Sequence, residues 1–264
     1  MKLYLHQTVI DPDTNKNFEK LKEVFEKKLR VDLIVCPEVF LTGFQYENLN
    51  RIARENKTFL ENIQDLCLAH RTGFLGSFFW KEGDAFYNRA FFVSETGDIL
   101  GAYNKQKLIP AFKEDKYLSK GNKLSIFSFK EMRVGIAICY DLRFPEIFRK
   151  YASREVDIVF LLAQWPETRI DHMITLSRAR AIENQCYFIV VNATGSSQNI
   201  KMGGHSLCID PTGKIILDLE STAHGEQVQV HLSDVLKWRE EFRALYEYSR
   251  PSSPGAKLSR WLFK

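Results

Sequence analysis

The chain has 264 residues, 45% of them hydrophobic and 27% charged, which excludes the low-apolar, high-charge class of sequence that stays disordered. Its formal charge is only +4, and lysines alternate with glutamates in NFEKLKEVFEKKLR, so the basic surplus reads as a solvated helix face and not as the stripe that nucleic acid demands. Five cysteines (Cys36, Cys67, Cys139, Cys186 and Cys208) are odd in number and scattered without a C-x-x-C pair, so neither a disulfide framework nor a metal site is expected.

Periodicity predicts a first strand over Leu3 to Val9 and an amphipathic helix over Asn17 to Leu29, where Phe18, Leu21, Val24, Phe25 and Leu29 recur at helical spacing. A buried strand DLIVC follows, then a helix over Thr58 to His70. Next come the strands GFLGSFFW, YNRAFFVS and ILGAY, the last two joined by the turn ETGD. The second half repeats the order: strand RVGIAIC, a helix opening at Pro145, strand VDIVFLLA, a helix over Arg169 to Asn184, and strand CYFIVVNA. The turn DPTGK joins SLCID to IILDL, and EQVQVHL leads into a last helix over Val235 to Leu245. Two similar halves of alternating helices and strands, each finishing in antiparallel pieces, predict an α/β fold of two packed sheets with helices outside, a four-layer α-β-β-α sandwich. One domain over 1–245 is expected. The tail 246–264 reads as an arm on a partner subunit or as a frayed end, and Trp261, Leu262 and Phe263 favour the arm. No apolar run approaches bilayer length and the amino terminus lacks a cleavage-site pattern, so a cytoplasmic protein with no membrane partner is expected.

In α/β sheets, reactive side chains collect where strands deliver their carboxyl ends. DLIVC delivers Glu38, ILGAY delivers Lys105, GIAIC delivers Cys139 with Tyr140, and IVFLLA delivers Gln164 and Trp165. Singly, each has an ordinary explanation as a core or surface residue. Together, a carboxylate, an ammonium and a thiol suit nucleophilic catalysis: a thiol with pKa of about 8.5 needs a base or a nearby cation. Glu38 can take its proton, Lys105 can stabilise negative charge, and the backbone turn before Pro145 can offer N–H groups to an oxyanion.

In that order CPEVFLTGF, YNKQKL and RVGIAICYDLRFPE, followed by SRARAIENQCYFIVVN and GGHSLCIDPTGKII, resemble the nitrilase superfamily of carbon-nitrogen hydrolases over nearly the whole chain. The resemblance implies the α-β-β-α sandwich, usually assembled as a homodimer, and a cysteine amidase without metal or organic cofactor. By motif, Glu38 looks like the general base, Lys105 the oxyanion-stabilising lysine, Cys139 the nucleophile, and Glu114 in FKEDKYLSKG the second glutamate that positions substrate and lysine. CYDLRFPE, QWP and RARAIENQ look most like the omega-amidase branch, which hydrolyses 2-oxoglutaramate and 2-oxosuccinamate. A short anionic amide needs a cation in the pocket, for which Arg143, Lys107 and Lys116 are candidates, while Tyr140, Trp165, Phe40 and Tyr117 are expected to bind or wall the substrate. Two positions depart from the branch's pattern: Lys107 stands where many relatives carry histidine, and Ala193 where a basic residue is expected. Deaminated-glutathione amidase, N-carbamoyl amidohydrolase and nitrilase activities would reuse the same residues. A non-catalytic scaffold of this fold, or a cysteine-histidine enzyme using His205, are the other readings.

Overall fold

The computed structural model describes residues 1–245 other than 28 and 198, so the tail 246–264, expected as a dimer arm, lies outside the described residues. The first half runs β1 (Lys2–Gln7), α1 (Thr14–Glu26), β2 (Leu33–Val35), α2 (Leu49–His70), β3 (Gly73–Glu82), β4 (Ala85–Val93), β5 (Ile99–Asn104) and the single turn α3 (Glu114–Tyr117). The second runs β6 (Ile126–Phe129), β7 (Met132–Ile138), α4 (Pro145–Ala152), β8 (Ile158–Ala163), α5 (Ile170–Asn184) and β9 (Tyr187–Asn192). It ends in β10 (Thr194–Ser197), β11 (Ile200–Gly203), β12 (Leu207–Ile209), β13 (Ile215–Asp218), β14 (His224–Gln229) and α6 (Leu232–Glu241).

Two six-stranded mixed sheets form, ordered β14-β1-β2-β3-β4-β5 and β13-β12-β9-β8-β7-β6, with β10 and β11 as a separate hairpin. In each, the central three strands are parallel and the flanks antiparallel. Alternation along the strands explains the layering. Leu3, Leu5, Leu33 and Val35 face the interior shared with Val134, Ile136, Ile138 and Phe160 of the other sheet. The intervening Tyr4 and Ile34 point outward, against Leu21, Val24 and Phe25 of α1 and Leu60 and Ile63 of α2. Ile147 and Phe148 of α4 and Met173 and Ala181 of α5 cover the opposite outer face. This is the four-layer sandwich. No described helix is long and apolar enough to cross a membrane.

Several element ends differ from the sequence expectation. The first helix starts at Thr14, not Asn17, because the Asp13 carboxylate accepts the Asn15 N–H at 2.9 Å and caps it. The second starts at Leu49, not Thr58; Leu49, Ile52 and Ala53 are buried on one face, a short apolar stripe that the intervening charges obscure. The last helix lies at Leu232–Glu241, earlier than Val235 to Leu245, and the helix drawn from Arg169 begins at Ile170 after a 3-10 turn over Glu167–Arg169. EQVQVHL does more than lead into a helix: it lies largely in β14, which crosses to pair antiparallel with β1 and so closes the first sheet with residues from the chain's far end.

Candidate active site

Glu38 lies just beyond β2, Lys105 follows β5 directly, Glu114 opens α3, and Cys139 follows β7 at the start of a 3-10 turn over Cys139–Arg143. The first three descend from one sheet and Cys139 from the other, so the site is built at the seam between the two sheets. All four side chains are buried. Lys105 Nζ lies 2.7 Å from Glu38 Oε1 and 2.8 Å from each carboxylate oxygen of Glu114. Glu38 Oε1 also accepts Asn88 Nδ2 at 2.8 Å, and its Oε2 accepts the Gln164 N–H at 3.1 Å. Glu114 Oε2 accepts the Ile109 N–H at 2.8 Å. The Cys139 thiol donates to the Gln164 carbonyl across 3.9 Å.

Burial raises the Glu38 carboxyl above the ordinary carboxylate range; Lys105 opposes that shift and Glu114 adds to it. Burial alone would lower Lys105, but Glu114 and Glu38 outweigh it and hold the ammonium well above an ordinary lysine. Burial, and after it the Glu38 carboxylate, push the Cys139 thiol well above its usual value. The resting thiol is therefore protonated at neutral pH, beside a carboxylate able to take the proton and a fixed cation able to meet negative charge.

Asp141 joins the two halves of this arrangement. One of its oxygens accepts the Lys107 N–H at 2.8 Å and the Gln106 N–H at 3.2 Å, both just past Lys105. The other accepts the Tyr103 hydroxyl at 2.8 Å and the Ile138 N–H at 3.0 Å. Burial pushes its carboxyl up to about 6 despite these donors.

A cleft of about 450 Å³ opens onto Cys139, within the size range of small-molecule sites. Tyr140, Arg143 and Trp165 line it, as do Phe112, Arg169 and His172. The Arg143 guanidinium stacks on the Trp165 ring at 4.8 Å and lies 3.4 Å from His172 Nδ1. Trp165 is fixed in turn by its indole N–H, which donates to the Arg169 carbonyl at 2.8 Å. Among the described residues no carboxylate lines this cleft; Arg143 is engaged through its guanidinium by Trp165 and His172, and Arg169 through its backbone carbonyl by Trp165. Nor do the described residues include a group of three His, Cys, Asp or Glu side chains placed to hold a metal ion.

Other candidates fall elsewhere. Phe40, expected as a pocket wall, packs in the outer core against Phe74 and Phe78, because its ring points toward the helix layer and not toward the seam. Tyr117 borders a second hollow and stacks on Tyr46. Lys107 reaches away to Glu146 at 3.5 Å and over the Phe144 ring; Lys116 is exposed and lines neither hollow. Ala193 is buried among Ile10, Val39 and Met202. His205 pairs with Asp218 at 3.0 Å, away from the Cys139 cleft. Asn88, Asp141, Arg169 and His172 were not singled out from sequence. Two of them carry a sequence signal: Asp141 lies inside the CYDLRFPE block, and Arg169 in the QWPETR segment that also supplies Trp165.

The sequence model of the carbon-nitrogen hydrolase family matches residues 5–240. The chain is 34% identical over 248 residues to a Staphylococcus aureus protein named hydrolase in agr operon, a match covering 91% of this chain and 95% of that one. It is 33% identical over 207 residues to the 2-oxoglutaramate amidase of Bacillus subtilis strain 168, covering 77% of this chain and 80% of the relative. Among solved structures, a CN-hydrolase superfamily protein from Xanthomonas campestris superposes with a TM-score of 0.87 at 23% identity, covering 97% of this chain and 99% of the other.

Proposed function

Because the chain belongs to the carbon-nitrogen hydrolase family, we propose that it is an amidase that hydrolyses the terminal carboxamide of a short oxo-diacid amide such as 2-oxoglutaramate or 2-oxosuccinamate. The observation that carries the substrate class is the cleft beside Cys139, which presents Arg143, Arg169 and His172 and no carboxylate. A guanidinium without an anionic partner among the described residues, held flat by an indole, is prepared for a carboxylate. With the thiol at the cleft's inner end and the guanidiniums along its wall, a short molecule with an amide at one end and a carboxylate at the other can meet both. The similarity to the 2-oxoglutaramate amidase of B. subtilis supports the same reading.

The reaction follows from the site's proton inventory. Glu38 takes the thiol proton as Cys139 Sγ attacks the amide carbon, and the carbonyl oxygen becomes an oxyanion met by the Lys105 ammonium and the Tyr140 N–H. Glu38 returns the proton to the nitrogen as the C–N bond breaks, giving ammonia and a thioester. Water, deprotonated by Glu38, attacks the thioester; the acid departs and the thiol is restored. Glu114 holds Lys105 charged and in place throughout, because two of its contacts are to that ammonium. A homodimer belongs to this proposal.

Ammonia release from a panel of oxo-acid amides, carbamoyl compounds and nitriles tests the reading. The oxo-acid amides should give the highest kcat/KM, Arg143→Gln should raise KM for them by about tenfold or more, and Cys139→Ala should be inert. No turnover of 2-oxoglutaramate or 2-oxosuccinamate, with turnover of a neutral amide, would overturn the substrate class.

A further inference from the structure

The loop after β2 carries a phenol that the chemistry above leaves unused. The Tyr46 hydroxyl oxygen is buried, yet it has no hydrogen-bond partner among the described residues. Buried hydroxyls in folded proteins are almost always partnered, and an exception calls for a reason. The ring itself is held: it lies parallel to Tyr117 at 4.9 Å, with Phe79 at 5.5 Å and Phe44 at 6.5 Å.

Glu114, Lys105, Glu38 and Cys139, the four members of the reaction centre, all act electrostatically on this phenol. Glu114, the strongest of them on Tyr46, already accepts from the Lys105 ammonium at both oxygens and from the Ile109 N–H at one. Burial, and after it the Glu114 charge, push the phenol well above an ordinary tyrosine, so it stays neutral and can both donate and accept. Its hollow adjoins the Cys139 cleft, since Ala111 and Phe112 line both.

We propose that Tyr46 is a further substrate-binding residue, whose hydroxyl oxygen accepts an N–H of the bound substrate's carboxamide and so fixes the leaving nitrogen for protonation. The inference rests on the amidase reading above. A hydroxyl without a partner among the described residues gains one when an amide arrives, so its contribution falls on binding and acyl transfer and not on folding. Tyr46 keeps its own proton throughout; the proton delivered to nitrogen is the one Glu38 took from Cys139.

Tyr46→Phe removes only the hydroxyl. The test compares wild type and variant on 2-oxoglutaramate and on the corresponding terminal methyl ester, which shares the oxo group and carboxylate but has no N–H. The expected result is an unchanged or higher Tm, a loss of about tenfold or more in kcat/KM for the amide, and an ester kcat/KM within about twofold of wild type. An unchanged amide kcat/KM, or equal losses on amide and ester, would overturn the proposal. If wild type itself released no ammonia from the amide, the amidase reading would fall and this inference with it; an active wild type with an unaffected variant rejects Tyr46 alone.

Discussion

Cys139 occupies the left-handed region of backbone space at φ 44°, and Val39, next to Glu38, does so at φ 36°. Non-glycine residues rarely tolerate this, and a β-branched one least of all. Both positions are held by their surroundings. Val39 donates its N–H to Ser77 Oγ at 2.8 Å, and the Cys139 turn is gripped by Asp141 two residues on. Asp141 therefore makes a testable case for what such a grip costs. Its folded pKa, about 6, lies above the ordinary 3.8, so the folded state binds more protons across that interval. The stability this group contributes is present below pH 3.8 and is lost as pH rises through about 6, a fall of about 3 kcal/mol. Asp141→Asn, followed by denaturant unfolding across this range, should lack that fall. The same variant places an amide NH₂ among four donors, and displacement of the Lys105 loop should lower kcat about 100-fold. A pH profile of stability identical to wild type would refute the account. Glu38, Lys105 and Cys139 were legible because each ends an apolar strand within a recognisable block. Asp141 lies inside one of those blocks and still went unread, because its partners are three to 38 residues away and only folding brings them together.

At the scale of elements, the strand order was readable and the packing of individual rings was not. Apolar periodicity gives the two halves, but the facing of a residue just past a strand depends on a turn. Phe40 shows this: two residues beyond Glu38, it turned toward Phe74 and Phe78 in the helix-side core. The β14-β1 pairing was equally hidden, since nothing in EQVQVHL names a partner more than 200 residues upstream. One element that braces the backbone at Lys105 is the crossing of the Gly121 segment over the end of β5. Gly121 donates its N–H to the Lys105 carbonyl at 2.8 Å. A Cβ on Gly121 would collide with the Asn104 carbonyl oxygen, a backbone atom that cannot swing aside. Gly121→Ala should therefore push the backbone at Lys105, lowering kcat by about tenfold or more and costing about 1–3 kcal/mol of stability. Ammonia-release kinetics and thermal unfolding together check this; normal kcat with reduced Tm would mean the strain relaxes away from the lysine.

For the whole molecule, net charge and local charge part company. A surplus of +4 over 264 residues creates no strong overall field, yet Arg143 and Arg169 converge on one cleft that has no carboxylate among its described lining residues. Attraction of an anionic amide should therefore be local and sensitive to salt, because the screening length shrinks from about 10 Å at 0.1 M to about 3 Å at 1 M. Raising salt over this range should lower kcat/KM for 2-oxoglutaramate several-fold, chiefly through KM, and leave a neutral short amide nearly unaffected. Arg169 offers the cleaner internal control. Its side chain is exposed and its contact with Trp165 runs through the backbone carbonyl, so Arg169→Ala removes the charge while the indole keeps its acceptor. Arg143→Ala would remove both a charge and the stacking partner of Trp165. Steady-state kinetics of Arg169→Ala against salt should show a flatter dependence than wild type for the anionic substrate. Equal salt effects on anionic and neutral amides would place the sensitivity in the protein and not in recognition of the substrate's charge.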